Sequence, residues 1–436
     1  MAGKPDTTPP RGMRDLLPAE VELRDAATQQ ILAVYRSFGF RRIETPALES
    51  LRLLVGSEGG ENEKLVFKVL KRGEDLEAAQ RAGGELAEHG LRFDLTVPLA
   101  RYYAENHARL PDPLKAIQIG PVWRAERPQK GRYRQFTQCD IDILGVGSAV
   151  AEVELLLATG EALTRLGLSD LTVRINDRRL LGAIARHCGF PEEAQGAFFI
   201  AFDKLDKVGA EGVLGELREA GHAAAVIERF ERLLPTLQKG ELSLEALPGL
   251  LGQAAGDAAP AFDSLAWIIQ TVNREMPAGA QVRFDPTLVR GMGYYTGAIF
   301  EAISPAFPSS IAGGGRYDKL IGRMIKRDIP ACGFSIGFER LVTILSEGGG
   351  SPAAPASAPL PRRVAFLVDA TGDLGSALAA ARARRAAGDL VSLEVRRKNL
   401  GRQLEALAEQ GFSAYAVVES GGAASVKPLT ARRGHE

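Results

Sequence analysis

Residues Gly120–Gly145 read GPVWRAERPQKGRYRQFTQCDIDILG. Two strand-like arms, Pro121–Glu126 and Arg134–Leu144, flank a loop holding Pro128, Lys130 and Gly131, which predicts a β-hairpin. In the second arm Gln138, Asp140 and Asp142 lie two apart and share one face of the strand; Arg124 and Glu126 do the same in the first arm. Charged residues at alternate positions ordinarily mark a solvent face. Here, however, the face combines arginine donors, an amide and carboxylates, a mixture suited to a small polar molecule that carries both an anionic and a cationic group.

Other segments repeat this polar character. Leu91–Pro98 (LRFDLTVP) predicts Asp94 and Thr96 on one strand face. In Leu288–Glu301 (LVRGMGYYTGAIFE), Arg290 precedes a Gly-x-Gly bend and the pair Tyr294 and Tyr295, of which one is expected to line a site while the other packs. Gly333–Leu341 (GFSIGFERL) predicts a strand with small residues at Gly333, Ser335 and Gly337, then Arg340 at a helix start. Small residues at every second position let a flat ring lie on the strand with a guanidinium stacked over it. Ala312–Asp318 (AGGGRYD) has contiguous glycines and by itself predicts a tight turn.

Toward the N-terminus, a helix is predicted from about Ala19 to Phe38, with Ala27, Ile31, Val34 and Phe38 on one apolar stripe. Gly39 stops it, and Phe40–Pro46 (FRRIETP) resumes as a strand. Between about residues 149 and 281 the chain is helical, with one strand at Leu171–Ile175. The Gly/Ser/Pro/Ala-rich stretch Glu347–Pro361 reads as a linker. Beyond it, strands at Val364–Ala370, Leu390–Val395 and Ala414–Val418 alternate with helices at Leu374–Ala387 and Leu400–Gln410, a βαβαβ pattern that implies a small, mostly parallel sheet. From Arg362 on there are twelve Lys/Arg against eight Asp/Glu. Arg396, Arg397, Lys398 and Arg402 crowd one spot, either as a solvated helix start or as a phosphate-backbone contact. The expected division is therefore 1–345 with a helical insertion at about 176–280, a linker at 346–361, and 362–436.

Composition narrows the class. At 436 residues the chain needs two or three cores. Its 45% apolar and 25% charged content excludes collagen-like and globally disordered chains. Lys+Arg and Asp+Glu tie at 54, so net charge names no partner. The three cysteines are far apart and never in C-x-x-C spacing, against a disulfide framework or a Cys-built zinc site. No secretory h-region and no run of about eighteen apolar residues is present, so a cytoplasmic protein without a membrane span is expected. Neither a P-loop nor GxGxxG occurs.

WRAE with its trailing Gln/Asp strand, and GFSIGFERL much later, resemble motifs 2 and 3 of the class II aminoacyl-tRNA synthetases; FRRIETP after its helix resembles motif 1, the dimer-forming element. More narrowly, RGMRDLLP (Arg11–Pro18), RPQKGRYRQF (Arg127–Phe136), VRGMGYYTG (Val289–Gly297) and GGRYD (Gly314–Asp318) are similar to the histidyl-tRNA synthetases, over about Arg11 to Leu341. The tail is similar to that family's anticodon-binding domain. The resemblance implies an α+β catalytic core, a six- to seven-stranded antiparallel sheet with flanking helices, plus the helical insertion and a C-terminal α/β domain.

The implied reaction joins L-histidine to ATP as an adenylate and then transfers it to the 3′ end of tRNA-His. The resemblance assigns Arg124 and Arg290 to the carboxylate and α-phosphate, with Glu126 also on ATP, and Arg340 with Phe136 to adenine. Asp94, Thr96 and Gln138 match positions that bind the α-amino group. Asp142 and Tyr295, beside Tyr294, match those at the imidazole, whose two ring nitrogens suit a carboxylate and a phenol. An amino acid lacking the imidazole leaves Asp142 unpaired, a rejection of roughly 10⁴–10⁵. Gln129 and Arg134 match residues near the tRNA acceptor end. Mg²⁺ is expected with the ATP phosphates rather than in an all-protein site. A homodimer is expected through Arg42–Ser50 and the preceding helix.

The chain departs from the family pattern in two places. Asp94 and Asp142 stand where most bacterial members carry glutamate, as in the eukaryotic and archaeal branch, although RPQKGRYRQF looks bacterial. Gly293 stands where the family usually has aspartate. Two rival readings remain: a regulatory subunit of ATP phosphoribosyltransferase, which typically lacks the tail and the arginine at Arg290, and a paralogue that ligates histidine to an acceptor other than tRNA.

Overall fold

A computed structural model describes residues 6–56, 64–128, 132–239, 242–290, 293–348, 362–369, 374–418 and 425–429. Most of the expected linker, and Gln129, lie outside the described residues.

The chain opens on a helix, Pro18–Ser37, whose Ala27, Ile31 and Val34 stripe is buried as its periodicity requires. Gly39, at φ +86°, ends it; a Cβ there would lie 2.6 Å from that of Ser392 in the C-terminal sheet. Strand β1 (Arg41–Arg42) follows, far shorter than the expected Phe40–Pro46, with the Ile43 N–H adding one more bond to Ile117 O at 2.9 Å. The segment then turns away because the Arg92 guanidinium binds the Thr45 carbonyl at 2.7 Å. Strands β2 (Leu48–Ser50), β3 (Lys68–Leu70) and β4 (Ala87–Leu91) form a separate small sheet in the order β2-β4-β3. Arg42–Ser50 is thus split between two sheets.

The hairpin is β5 (Leu114–Trp123) and β6 (Gln135–Leu144), paired in register from Leu114↔Leu144 to Trp123↔Gln135. After the helix Val150–Arg165 come β7 (Leu171–Asp177), the helical insertion from Arg178 to Glu275, and β8 (Ala280–Phe284). Strands β9 (Ala298–Ser304), β10 (Phe307–Arg316) and β11 (Ala331–Gly337) complete the large sheet, followed by the helix Phe338–Glu347. Its order is β1-β5-β6-β11-β10-β9-β7-β8. The six inner strands pair antiparallel; only the edge pairs β1–β5 and β7–β8 are parallel. The sheet therefore has eight strands rather than six or seven, the additions falling at its edges.

The AGGGRYD segment is not a turn. Ala312–Arg316 runs inside β10, between β9 and β11. The glycines are there for space: a Cβ on Gly314 would overlap the Gly333 carbonyl, and one on Gly313 the Arg290 guanidinium.

Beneath the sheet, Val150–Arg165 is buried along nearly its whole length. Its two buried carboxylates are paired: Glu152 with Arg316 at 2.6 Å, Glu154 with Lys115. The second sheet comprises β12 (Arg363–Val368), β13 (Leu390–Val395), β14 (Ala414–Val418) and β15 (Lys427–Pro428) in the order β13-β12-β14-β15, parallel except for the last pair. It packs on the large sheet's helical layer. Lys115 Nζ also donates to Ser392 Oγ at 2.8 Å and Leu393 O at 2.7 Å, and Arg385 lies 3.4 Å over the Phe38 ring.

Candidate functional site

The face of the large sheet opposite Val150–Arg165 lines a cleft of about 1780 Å³. That exceeds the roughly 300–1,000 Å³ typical of one small-molecule site. Strand alternation sends Cys139, Ile141 and Ile143 of β6 into the core, while Gln138, Asp140 and Asp142 line the cleft. All three are buried, so the alternating polar face is a site wall and not a solvent face.

One end of the cleft is acidic. Asp142 fits because its neighbour across the ladder is Gly333, where a Cβ would overlap Asp142 Oδ1. Tyr317 donates its hydroxyl to that oxygen at 2.5 Å. Burial pushes Asp142 up to about 7, with the Tyr317 hydrogen bond acting against it and Asp94 adding to it. Asp140 is driven well above the carboxylate range, by burial first and then by Asp142. Gln138 donates to Ser335 Oγ at 3.0 Å, while its buried Oε1 has no hydrogen-bond partner among the described residues. An orphaned acceptor beside carboxylates is what a bound ammonium would satisfy.

Asp94 and Thr96 reach this end by a route the sequence pattern concealed. They lie beyond β4, not on a strand: Asp94 Oδ1 accepts the Val97 N–H at 3.1 Å, and a helix begins at Thr96. The carbonyls of this bend are held by Arg124 Nε on Phe93 O at 3.0 Å and Gln118 Nε2 on Leu95 O at 2.9 Å. Tyr294 and Tyr295 also lie outside any strand, and both line the cleft, their rings 4.8 Å apart. Gly293 lines the cleft too, and a Cβ there would meet nothing within 4 Å.

The other end is basic. Arg124 and Glu126 follow the end of β5; the Arg124 N–H bonds the Arg134 carbonyl at 2.8 Å, and its guanidinium stacks 5.0 Å over the Phe136 ring. Glu126 pairs with Arg132 at 3.8 Å. Arg290 donates to Glu301 at 3.1 Å, and Glu301 also accepts from Arg174, which in turn holds Asp285 at 3.3 Å. Arg340 donates to Ser310 from the first turn of its helix; its pKa is lowered by burial and then by Arg132, Arg290 and Arg124 nearby. The guanidinium groups of Arg124, Arg132 and Arg290 thus lie close enough to Arg340 to lower its pKa, a positive cluster suited to a polyphosphate.

Of the residues singled out in the sequence, Arg134 does not line the cleft; its Nε donates to the Glu126 carbonyl at 3.1 Å. Tyr317, Glu301, Arg174 and Arg132 line it without having been singled out for a role. Tyr317 stood in the quoted GGRYD, and Glu301 ended the quoted Leu288–Glu301; neither shows its partner in sequence. Among the described residues no group of three or more His, Cys, Asp or Glu is placed to hold a metal ion.

Residues 12–341 match the family model described as histidyl-tRNA synthetase. The chain is 48% identical to the histidine–tRNA ligase of Leifsonia xyli subsp. xyli, over 97% of this chain and 98% of that one. It is 40% identical to the probable histidine–tRNA ligase of Tropheryma whipplei, over 97% and 99%. Among solved structures, histidyl-tRNA synthetase from Nostoc sp. PCC 7120 superposes with a TM-score of 0.65 at 27% identity, covering 98% of this chain and 95% of that one. A Bacillus halodurans protein described as an ATP phosphoribosyltransferase regulatory subunit/histidyl-tRNA synthetase shares the fold, with a TM-score of 0.66 at 23% identity, covering 96% and 99%.

Proposed function

The chain belongs to the histidyl-tRNA synthetase family, and on that premise we propose how its cleft performs the family's reaction. The activity is ATP-dependent activation of L-histidine followed by transfer to tRNA-His. The observation that carries the residue assignment is the division of the cleft into an acidic end and a basic end. Histidine presents an ammonium and an imidazole to the first, and its carboxylate points toward the second, where the triphosphate lies.

At the acidic end Asp94, Thr96 and Gln138 Oε1 receive the α-ammonium. Asp142, held by Tyr317, accepts an imidazole N–H, while Tyr295, with Tyr294 packed against it, serves the other ring nitrogen. At the basic end Arg340 and Phe136 flank adenine. Arg124 and Arg290 bind either side of the α-phosphate, and Glu126 contacts ATP from the loop. One carboxylate oxygen of histidine attacks the α-phosphorus, and pyrophosphate leaves with the electron pair of the broken P–O bond. The chain contributes alignment and charge neutralisation, and no protein nucleophile is required. The terminal ribose hydroxyl of tRNA-His then attacks the adenylate carbonyl and AMP leaves. Mg²⁺, bound to the phosphates, would supply charge neutralisation there.

Arg134, directly before β6, is assigned to the tRNA acceptor end together with Gln129 of the sequence motif, and the 362–436 region, with its Arg396–Lys398 and Arg402 cluster, takes the anticodon side. Residues 1–345 form the catalytic part. The protein acts as a cytoplasmic homodimer, with the β1 edge and Pro18–Ser37 at the interface; exposed Leu16, Leu17, Val21 and Leu48 supply apolar surface for it. No helix among the described residues is long and apolar enough to cross a membrane. The test of the assignment is histidine-dependent ATP–pyrophosphate exchange by Arg124→Ala. A loss of about 10²-fold or more in kcat is expected; undiminished exchange contradicts the site.

A further inference from the structure

The segment Arg11–Pro18, RGMRDLLP, has no part in the chemistry above, yet it is attached to the catalytic hairpin. The Gly12 carbonyl accepts the Arg134 N–H at 2.7 Å, and the Arg134 carbonyl accepts the Arg124 N–H at 2.8 Å. Two successive backbone hydrogen bonds therefore join the segment to the arginine assigned to the α-phosphate. Gly12 adopts φ +82°, and a Cβ on it would lie 2.8 Å from Pro128 Cγ and 2.9 Å from Arg134 Cγ, so the segment lies flush on both flanks of the motif 2 loop.

Side chains add a second attachment. The Arg14 guanidinium sits 4.8 Å over the Tyr133 ring, donates to Glu20 at 2.7 Å and reaches Glu339 at 3.5 Å. Glu339 also takes a bidentate pair from Arg24 at 2.7 and 2.8 Å and the Thr137 N–H at 3.1 Å. It stands directly before Arg340, and Thr137 directly before Gln138. One carboxylate thus ties the N-terminal segment, the first helix, β6 and the motif 3 helix together.

We propose that Arg11–Leu17 is a positioning strap for the motif 2 loop, in which Gly12 fixes the backbone of Arg134 and Arg124 and Arg14 holds Tyr133. This rests on the assignment of Arg124 made above. None of Arg11–Leu17 lines the cleft; they act through the loop, whose register sets where the Arg124 guanidinium meets the α-phosphate and where Arg134 meets the acceptor end. A displacement of about 1 Å at such a point costs about 10²-fold in rate.

The test uses full-length Gly12→Ala, Arg14→Ala and Arg14→Lys beside Arg124→Ala. It measures histidine-dependent ATP–pyrophosphate exchange, single-turnover transfer to tRNA-His, and Tm. Gly12→Ala is expected to lower kcat for exchange and the transfer rate by about tenfold or more, with the KM for histidine little changed and Tm lowered by the strain of alanine at φ +82°. Arg14→Ala gives a smaller loss of the same kind, and Arg14→Lys does not restore it, because an ammonium lacks the planar face that stacks on Tyr133. Arg14 is exposed, so its variants fold even where Gly12→Ala does not. Wild-type rates in both steps for Gly12→Ala and Arg14→Ala, or losses in kcat that track a fall in Tm and a rise in histidine KM, overturn the strap. Undiminished exchange by Arg124→Ala overturns the site assignment and the strap with it; an inactive Arg124→Ala beside fully active strap variants overturns the strap alone.

Discussion

Tyr317 and Asp142, 175 positions apart in sequence, meet in a 2.5 Å hydrogen bond inside the acidic end of the cleft, both buried. The phenol fixes one carboxylate oxygen and leaves the other for a ligand. Removing the donor in Tyr317→Phe lets Asp142 swing and weakens its carboxylate form. The KM for histidine should rise by about tenfold or more, the range for losing a hydrogen bond to a charged group, with a smaller change in kcat. Steady-state exchange kinetics check this.

Asp142 also gives the ligand-free protein a pH signature. Its pKa is pushed up to about 7, mainly by burial, above its ordinary 3.8. Between those values the folded state keeps a proton that the unfolded state has released, so this group's effect is to lower stability as pH rises through that window. Asp142→Asn removes the effect while keeping an acceptor for Tyr317. The Tm of the variant minus that of the native protein should be positive near pH 8 and shrink toward pH 4. For the native protein, the KM for histidine should fall from about pH 6 to about pH 8 as the carboxylate forms and the neutral imidazole becomes dominant.

Glu301 lies between Arg290 and Arg174 and accepts from both. Glu301→Ala leaves two half-buried guanidinium groups facing each other, so Arg290 loses its aim. An exchange kcat about tenfold down is expected for Glu301→Ala, against about 10²–10³-fold for Arg290→Ala. A Glu301→Ala enzyme with native kcat would show that Arg290 needs no such support.

Two glycines in the cleft should behave oppositely. A Cβ at Gly333 would overlap Asp142 Oδ1, whereas one at Gly293 meets nothing within 4 Å. Gly333→Ala should raise the KM for histidine by about tenfold or more, a shift of the Asp142 carboxylate being enough. Gly293→Ala should leave it essentially unchanged. Both can be read from histidine titrations of exchange.

Lys115 is a buried cation between the two sheets, bonded to Glu154, Ser392 and Leu393, with Arg385 3.7 Å from the same Glu154. Lys115→Ala leaves Glu154 without its lysine and removes two bonds to the C-terminal sheet. A loss of about 3–5 kcal/mol is expected in denaturant unfolding, larger than for the exposed pair Arg42–Glu44.

Periodicity and turn chemistry made much of this architecture legible in the sequence. The hairpin and the strand–helix pair at Ala331–Glu347 show as alternation and amphipathic spacing, whereas the tail's β12 and β13 show as short apolar runs buried on both faces and β14 as alternation. LRFDLTVP alternates and so reads as a strand for Asp94 and Thr96, whereas its carbonyls are bound by Arg124 and Gln118 and Asp94 accepts the Val97 N–H in the first turn of the following helix. AGGGRYD reads as a turn because contiguous glycines usually are one; here they sit in a central strand that must clear Arg290 and Gly333. Tyr317 and Glu301 carry no local mark of a role in the sequence, because their partners come from sheet register and loop placement, long-range pairings that no local pattern records.

The measurement that tests the central claim most directly is charging of an in-vitro transcript of tRNA-His with labelled histidine by the purified protein. Charging that requires histidine, ATP and the transcript together is the predicted result. No charging beside intact histidine-dependent ATP–pyrophosphate exchange would contradict it, and would place the activated histidine on an acceptor other than tRNA.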